Sequence, residues 1–408
     1  MFDDLDIPNR RERWLVGAAD LALGAATLPA RIVRRRSSDA PERILLLRLE
    51  RIGDLLMSLG AIAAVRQLAP AAEIDLAVGS WNEPIARLLP GIHALDVVDA
   101  PWLARGGAGL SRRDLAARAW VWRRRGYDLC INFEGDIRSH GLAWLSGASR
   151  RVGFGMAGGG PLLTDVVRHD ASRHVAANSV ALVERAFNLP PGTLPAPPAP
   201  DALRASRLPL PDRVRGAATA CLQQVAGTAL PPLLIAVHAP GGRQVKQWPV
   251  ARFADAAAQV ARESDAAIVL TGAPGDEQQV DEVEATLKAA GARTIRVQGN
   301  VDLVLLAGVL SQCRLLLTGD TGPMHMAAAV GTPVVAVFGP SMPWRYAPLI
   351  AEHRIVRIDL PCSPCNRIRQ PPRRCTGHVP DCLAGVTTEA VVQAARSLLA
   401  ARPALASR

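Results

Sequence analysis

The hydrophobic positions of this chain form short apolar runs that are separated by segments with helical spacing. In the first half, Arg43–Leu49 is an apolar run, and Asp54–Leu68 then repeats apolar residues at helical intervals. Glu73–Val78 and Tyr127–Asn132 are further strand candidates. Strands that alternate with helices in this way are typical of a mostly parallel sheet.

The strand–helix pattern stops at a proline-rich segment and then restarts. Eight prolines lie between Leu189 and Asp212, which predicts a semi-rigid, extended linker. The strands predicted after it are Leu233–His238, Ala266–Thr271, Arg293–Val297, Arg314–Thr318 and Pro333–Phe338. We therefore expect an α/β protein in which two Rossmann-like, doubly wound domains face each other across a cleft that binds the ligand.

The predicted domain organisation has five parts. Residues 1–40 form a basic amphipathic extension, and 41–190 form the first Rossmann-like domain. Residues 191–212 are the linker and 213–360 the second Rossmann-like domain, followed by a cysteine-rich segment and a C-terminal helix over 361–408.

The spacing of apolar residues over 10–36 predicts a helix with one apolar face and arginines at both ends. The apolar face holds Trp14, Ala18, Leu21, Ala25 and Leu28. The flanking arginines are Arg10, Arg11, Arg13, Arg31, Arg34, Arg35 and Arg36. The interpretations that stay open are a helix that lies on an anionic inner membrane leaflet, or else a helix packed on the main body or an ordered arm.

Composition and charge exclude some classes of protein. Hydrophobic residues make up 49% of the 408 residues and charged residues 21%, which excludes wholesale disorder. The net charge of +10 is spread over both halves, which argues against a nucleic-acid-binding arm and suits an anionic substrate. Only Lys246 and Lys288 are lysines. The odd number of cysteines, seven, and the acidic start indicate reduced thiols in the cytoplasm.

Three strand-to-helix turns carry polar residues that the fold alone does not require. In the first, Gly53 is expected to allow a tight turn and Asp54 to begin the next helix. Asp54 is therefore either an N-cap carboxylate or a general base in the cleft.

The second turn follows Leu233–His238. Gly241 and Gly242 permit close approach of the backbone to a phosphate, which the Lys246 ammonium would neutralise. Because lysine is almost absent elsewhere, we favour a functional Lys246 over a solvated one.

The third turn lies between the Arg314–Thr318 strand and a predicted helix over Met324–Val330. Pro323 suits a first helical turn, and a glycine-rich helix N-terminus binds anions through its N–H groups. An aspartate that only caps the helix is the alternative for Asp320. The residues expected to contact a sugar or phosphate are Gly319, Asp320, Thr321, Gly322 and His325.

Together, these turns resemble glycosyltransferase family 9, the heptosyltransferases of lipopolysaccharide core assembly. The matching segments, in order over residues 43–345, are RLERIGDLLMS, HAPGG with KQWP and a following Phe, LTGAPGDE, and TGDTGPMHMAAAVGTPVVAVFG. The resemblance implies a GT-B architecture, inversion at the anomeric carbon and no catalytic metal.

The resemblance also implies roles for individual residues. The first domain would bind the acceptor and the second the donor, with Asp54 as the general base and Lys246 against the donor phosphates. Glu277, or its neighbour Asp276, falls near the acidic residue that contacts the nucleoside ribose. The donor-binding set is then Gly53, Gly241, Gly242, Glu277, Gly319, Asp320, Thr321, Gly322 and His325.

Four cysteines lie close together after the second predicted sheet. Cys362, Cys365, Cys375 and Cys382 could form a tetrahedral thiolate site for a structural zinc or iron. Some relatives within the resembled family are similar in carrying a metal-bound cysteine motif here. Free or redox-active thiols are the alternative.

The expected function is transfer of heptose from ADP-heptose to the anionic glycolipid of the lipopolysaccharide inner core. The protein would work in the cytoplasm, with peripheral contact to the inner membrane and no nucleic-acid partner. Another nucleotide sugar or a protein acceptor is an alternative within the family. A sugar-nucleotide 2-epimerase and a metal-dependent nucleic-acid-binding protein are alternatives from other classes.

Overall fold

The computed structural model describes residues 5, 7, 9–32, 40–104, 109–299 and 301–401. It divides into two compact units, unit 1 up to Ser206 and unit 2 from Arg207. In the described residues, each unit contains a six-stranded parallel sheet with helices between the strands. The prediction of an α/β protein with two Rossmann-like domains is therefore confirmed.

Unit 1 contains sheet 1, in the order β3-β2-β1-β4-β5-β6. Its strands are β1 Arg43–Arg48, β2 Glu73–Val78, β3 Ala94–Val97, β4 Leu129–Asn132, β5 Arg150–Phe154 and β6 Asp165–Val167. Its helices are α1 Arg10–Ile32, α2 Ile52–Met57, α3 Leu59–Leu68, α4 Glu83–Ala86, α5 Arg112–Arg125, α6 Ile137–Leu145, α7 Val175–Ala186 and α8 Pro200–Ala205. The central strand β1 is buried from Ile44 to Leu47, as expected for a parallel strand that is covered on both faces.

Unit 2 contains sheet 2, in the order β12-β11-β10-β7-β8-β9. Its strands are β7 Leu234–His238, β8 Ala267–Leu270, β9 Thr294–Arg296, β10 Leu315–Gly319, β11 Val334–Val337 and β12 His353–Val356. Its helices are α9 Asp212–Ala226, α10 Val250–Ser264, α11 Glu277–Ala289, α12 Leu303–Gln312, α13 Gly322–Val330, α14 Pro343–Tyr346, α15 Asp381–Ala384 and α16 Thr388–Ala400. Alanines on α10 pack against this sheet, which accounts for a core with few aromatic residues.

Two local predictions differ from the structure. The helix predicted over Asp54–Leu68 is two helices, α2 and α3, joined at Ser58, whose hydroxyl donates to the Asp54 carbonyl at 2.9 Å. The proline-rich segment is not uniformly extended, because it contains α8, which packs on α3. Pro200 occupies the first turn of α8, where its missing N–H costs no hydrogen bond.

The N-terminal helix α1 packs on unit 1. The Asp20 carboxylate accepts the Gly159 N–H at 2.6 Å, and the Thr27 hydroxyl donates to the Pro161 carbonyl at 3.3 Å. Trp14 and Leu21 remain largely exposed. Arg34, Arg35 and Arg36 lie outside the described residues. Among the helices that the structure describes, none has both the length and the apolar character needed to span a membrane.

Trp248 anchors the turn after β7 to the core of unit 2. Its indole is 1% exposed, donates to the Val386 carbonyl at 3.1 Å and meets the Phe253 ring edge-on at 4.8 Å. We expect Trp248→Ala to lower the free energy of unfolding of unit 2 by about 3–5 kcal/mol, because it leaves a cavity and removes a buried hydrogen bond.

Hydrogen exchange of the strands of sheet 2 during chemical denaturation measures this loss in unit 2 alone. The matched control is Trp344→Ala, since Trp344 is 48% exposed on the same unit. Equal effects of the two substitutions would contradict the anchoring role of Trp248.

Candidate active site

The candidate donor residues of unit 2 lie where β7 and β10 end. These two strands are parallel neighbours, with Thr318 opposite His238, so the turns that follow them lie side by side. The order of sheet 2 also reverses direction between β7 and β10, and such switch points form ligand crevices in open α/β sheets. Lys246 follows β7 in a short 3-10 helix, and Asp320 follows β10.

Lys246 and Asp320 form an ion pair. The Lys246 Nζ lies 2.6 Å from the Asp320 Oδ2, and these side chains are 21% and 10% exposed. The Ser341 hydroxyl, from the loop after β11, donates to the same carboxylate oxygen. Lys246 is therefore not a solvated surface lysine. Asp320 does not cap α13 either, because the N-cap residue is Thr321.

Helix α13 begins directly after this ion pair. Gly322 is its first residue, and no side chain caps its N-terminus in the part of the chain that is described. The Thr321 and Thr318 hydroxyls lie 3.1 Å apart, and the Thr318 hydroxyl donates to the His238 carbonyl at 3.0 Å. His325 is buried in this helix. A helix N-terminus beside an ammonium favours a bound anion.

His238 at the end of β7 adds no positive charge to this edge. The ring Nδ1 lies 3.1 Å from the Thr271 hydroxyl, and burial lowers the pKa of His238 to about 4. The imidazole is therefore neutral at pH 7, and the positive charge beside Asp320 comes from Lys246.

The candidate glycines of unit 2 differ in how closely their surroundings are packed. The Gln247 amide donates to the Gly241 carbonyl, and a Cβ on Gly241 would lie 2.9 Å from the Gln247 Cγ. Gly242 is exposed. A Cβ on Gly319 would make only ordinary contacts, so packing alone does not require glycine there.

The acidic residues after β8 stabilise the turn in which they lie by accepting hydrogen bonds from its backbone. The Glu277 carboxylate accepts the Gly275 N–H at 3.0 Å, which lowers the pKa of Glu277, and the Asp276 carboxylate accepts the Ala273 N–H at 2.8 Å. Glu277 is exposed and begins α11. Since β8 is the parallel neighbour of β7, this turn lies at the same edge of sheet 2 as Lys246.

In unit 1, Asp54 lies in the first turn of α2, at the end of the central strand β1. The N-cap residue is Arg51, so Asp54 is not the N-cap carboxylate of this helix. Gly53 lies inside α2, and its φ angle is not positive, so the prediction that it makes the tight turn is wrong. The chain bends instead at Glu50, and Arg51 is the extended N-cap residue of α2, with φ −71° and ψ 167°.

Two charged residues beside Asp54 were not predicted from the sequence. Arg48 is buried at the end of β1, and its Nη2 lies 3.6 Å from the Asp54 Oδ1. Glu134, also buried, lies 3.7 Å from the Arg48 Nη1. Glu134 comes two residues after β4, which pairs with β1. A polar residue just after a predicted strand was therefore the feature of the sequence that could have pointed to Glu134.

The four clustered cysteines line one cavity of about 470 Å³ in unit 2, which we call the cysteine cavity. Cys382 is buried and Cys362 exposed. Within the described residues, however, no group of three potential metal ligands is close enough to hold an ion. The thiols therefore share a cavity without being arranged around a metal.

The cysteine cavity adjoins the edge of sheet 2 that carries Lys246 and Asp320. Val245, which precedes Lys246, lines it, as does Pro340, which precedes Ser341. The Ser363 hydroxyl donates to the Gly339 carbonyl at 2.9 Å, and the Asn366 N–H donates to the Pro340 carbonyl at 2.7 Å. The cysteine-rich segment therefore holds the loop that carries Ser341.

Each unit thus offers one kind of chemistry. Unit 2 has an ammonium, hydroxyls and a helix N-terminus at one sheet edge, which suits a phosphate or diphosphate. Unit 1 has a carboxylate, Asp54, that is 31% exposed and can accept a proton.

Comparisons with known proteins show the family to which this chain belongs. The family model described as glycosyltransferase family 9 (heptosyltransferase) matches residues 121–374. A lipooligosaccharide heptosyltransferase 2 of Haemophilus ducreyi is 26% identical over 314 residues, which cover 75% of this chain and 86% of the relative.

Two solved structures share the fold. A glycosyltransferase family 9 protein of Veillonella parvula has a TM-score of 0.75 and 25% identity, covering 90% of this chain and all of the other. The ADP-heptose lipopolysaccharide heptosyltransferase II of Escherichia coli has a TM-score of 0.69 and 21% identity, covering 88% and 99%. This chain belongs to glycosyltransferase family 9 and is a heptosyltransferase-like glycosyltransferase.

Proposed function

We propose that this enzyme transfers heptose, with inversion, from ADP-heptose to a lipopolysaccharide inner-core acceptor. The observation that carries the proposal is the Lys246–Asp320 ion pair at the N-terminus of α13. It places a positive charge and a helix N-terminus beside a carboxylate at the switch point of sheet 2, where a nucleotide sugar needs them. Relatives named as heptosyltransferases support heptose as the sugar.

In this proposal, the donor diphosphate takes the place of Asp320 as the partner of Lys246. In the absence of donor, the Asp320 carboxylate neutralises the mostly buried Lys246 ammonium. Asp320 and Thr321 are then available to the sugar hydroxyls, and Glu277 to the nucleoside ribose. His325, Gly319, Gly322, Gly241 and Gly242 complete the proposed donor site.

Asp54 is the proposed general base. As the acceptor hydroxyl attacks the anomeric carbon, its proton passes to the Asp54 carboxylate and the bond from that carbon to the diphosphate breaks. Lys246 and the N–H groups of α13 stabilise the charge that develops on the departing ADP.

The proposed location is the inner face of the cytoplasmic membrane. Trp14, Leu15 and Leu21 on α1 are 50%, 74% and 61% exposed, beside Arg10, Arg11 and Arg13. Exposed apolar side chains next to arginines suit contact with an anionic lipid surface that contains the glycolipid acceptor.

For the cysteine cavity, we propose a structural zinc or iron site that forms when the loop around Cys362 contracts. All four thiols line one cavity, which supports the proposal. Burial raises the pKa of Cys382, and Cys365 and Cys375 are close enough to add to this shift. Because this segment holds the loop of Ser341, the metal would stabilise the donor site without joining the reaction.

Asp54→Ala is expected to lower kcat for transfer from ADP-heptose to heptose-deficient lipopolysaccharide by about a hundredfold or more, since the general base is lost. The Kd for ADP should stay within about twofold, because Asp54 contacts the acceptor proton and not the diphosphate. Steady-state kinetics and calorimetry give the two values. Glu73→Gln, at the amino end of β2, is the control and should behave as the wild type. A variant with weak ADP binding and normal turnover would refute the general-base assignment.

Lys246→Gln is expected to raise the Kd for ADP by about tenfold or more, equivalent to about 1.4 kcal/mol, because the diphosphate loses its cation. Lys288→Gln is the matched control, since Lys288, the other lysine, pairs with Glu284 on α11 and is largely exposed. Calorimetry measures both. Equal ADP affinities in the two variants would contradict a donor site at Lys246.

Protein purified under reducing conditions is expected to contain about one zinc or iron ion per chain, as measured by elemental analysis. The double variant Cys365→Ser with Cys375→Ser should lose the metal and bind ADP more weakly, because the loop of Ser341 loosens. Cys221→Ser, on α9, is the control. Metal-free protein with unchanged ADP affinity would contradict the proposed metal site.

A further inference from the structure

Arg48 lies between two carboxylates at the switch point of sheet 1. Its side chain is 5% exposed, and its guanidinium lies 3.6 Å from the Asp54 Oδ1 and 3.7 Å from the Glu134 Oε2. Sheet 1 reverses its strand order between β1 and β4, and Arg48 and Glu134 lie at the ends of these strands. One buried cation is thus shared by a partly exposed carboxylate, Asp54, and a buried one, Glu134.

Glu134 also fixes the backbone of the turn that leads to Asp54. Its Oε1 accepts the Leu49 N–H at 2.7 Å and the Glu50 N–H at 3.1 Å. Arg48 joins the two strand ends, because it donates to the Asp54 carbonyl at 3.1 Å and to the Phe133 carbonyl at 3.1 Å. The buried partners of Asp54 therefore form one connected network.

We propose that ionised Glu134 is a positioning residue for Asp54: it holds the Leu49–Glu50 backbone and takes up part of the charge of Arg48. With Glu134 ionised, the Glu134 and Asp54 carboxylates share the positive charge of Arg48, and Asp54 remains a good proton acceptor. With Glu134 neutral, the whole charge of Arg48 acts on Asp54, which stabilises that carboxylate and makes it a weaker base. This inference rests on the proposed function of Asp54.

The surroundings of Glu134 place its ionisation close to neutral pH. Burial raises the pKa of Glu134 to about 7; Arg48 opposes this shift, while Glu50 and Asp54 add to it. From α6, His140 lies close to the Glu134 backbone, but burial lowers the pKa of His140, so it adds no charge. We therefore expect kcat to rise as the pH increases through about 7.

The test is Glu134→Gln, whose amide can still accept the two backbone N–H groups but carries no charge. At pH 8, kcat for transfer from ADP-heptose to heptose-deficient lipopolysaccharide should fall by roughly three- to tenfold, less than after loss of Asp54. At pH 6, where Glu134 of the wild type is itself protonated, the two kcat values should converge. Glu184→Gln is the matched control, because Glu184 is a buried glutamate of unit 1 that accepts the Leu194 N–H at 2.9 Å.

A second measurement does not depend on activity. Since the folded-state pKa of Glu134 lies above its ordinary value of 4.5, its contribution to stability is fully present below pH 4.5 and is lost as the pH rises through about 7. Hydrogen exchange of β1 and β4 in wild type and Glu134→Gln should therefore show the variant gaining stability relative to the wild type over this range.

The outcomes separate the two proposals. A ratio of kcat values between wild type and Glu134→Gln that does not change with pH, or a stability difference that does not change with pH, overturns the role of Glu134. Absence of transfer by the wild type from ADP-heptose and from other nucleotide sugars overturns the proposed function, and the role of Glu134 with it. The stability measurement would still report whether Glu134 ionises near pH 7.

Discussion

Parallel strand pairing is the constraint on which this structure depends. Because neighbouring strands run in one direction, every strand-to-helix turn of a unit emerges at the same edge of its sheet. Turns that are far apart in the sequence, such as those of Lys246 and Asp320, therefore become neighbours. The helices that connect the strands cover both faces of each sheet, so polar groups collect at the strand ends.

The charged groups at these edges are held in pairs or small networks. Lys246 is neutralised by Asp320, which also accepts from Ser341, and Arg48 lies between Asp54 and Glu134. A buried charge without a partner would cost several kcal/mol. Each unit can therefore hold charges at a partly buried sheet edge only when they are paired or networked. If the proposed function is right, the donor diphosphate replaces Asp320 as the partner of Lys246, whereas Arg48 keeps both of its carboxylate partners during the reaction.

The sequence predicted the apolar strands well and the short polar ones poorly. β1, β2, β7 and β11 consist mainly of buried aliphatic residues, and the structure confirms them within one or two residues. β3, β5, β6 and β12 were missed because charged residues leave at most three apolar residues in a row, as in RRVGF and HRIV, although β9, which is equally short and ends in Arg296, was predicted. Their strand conformation comes from pairing with a neighbour, which a local pattern does not contain. The turns of Asp54, Lys246 and Asp320 could be found from their glycines and polar residues. Glu134 becomes a partner of Arg48, and Ser341 a partner of Asp320, only when the strands pair into sheets.

The most direct measurement of the proposed chemistry is a crystal structure of the full chain with an unreactive fluorinated ADP-heptose. We expect the diphosphate against the Lys246 ammonium and the N-terminus of α13, with the anomeric carbon facing the Asp54 carboxylate. A diphosphate bound away from Lys246, or a sugar whose anomeric carbon faces bulk solvent with Asp54 on a different surface, would contradict the proposed mechanism.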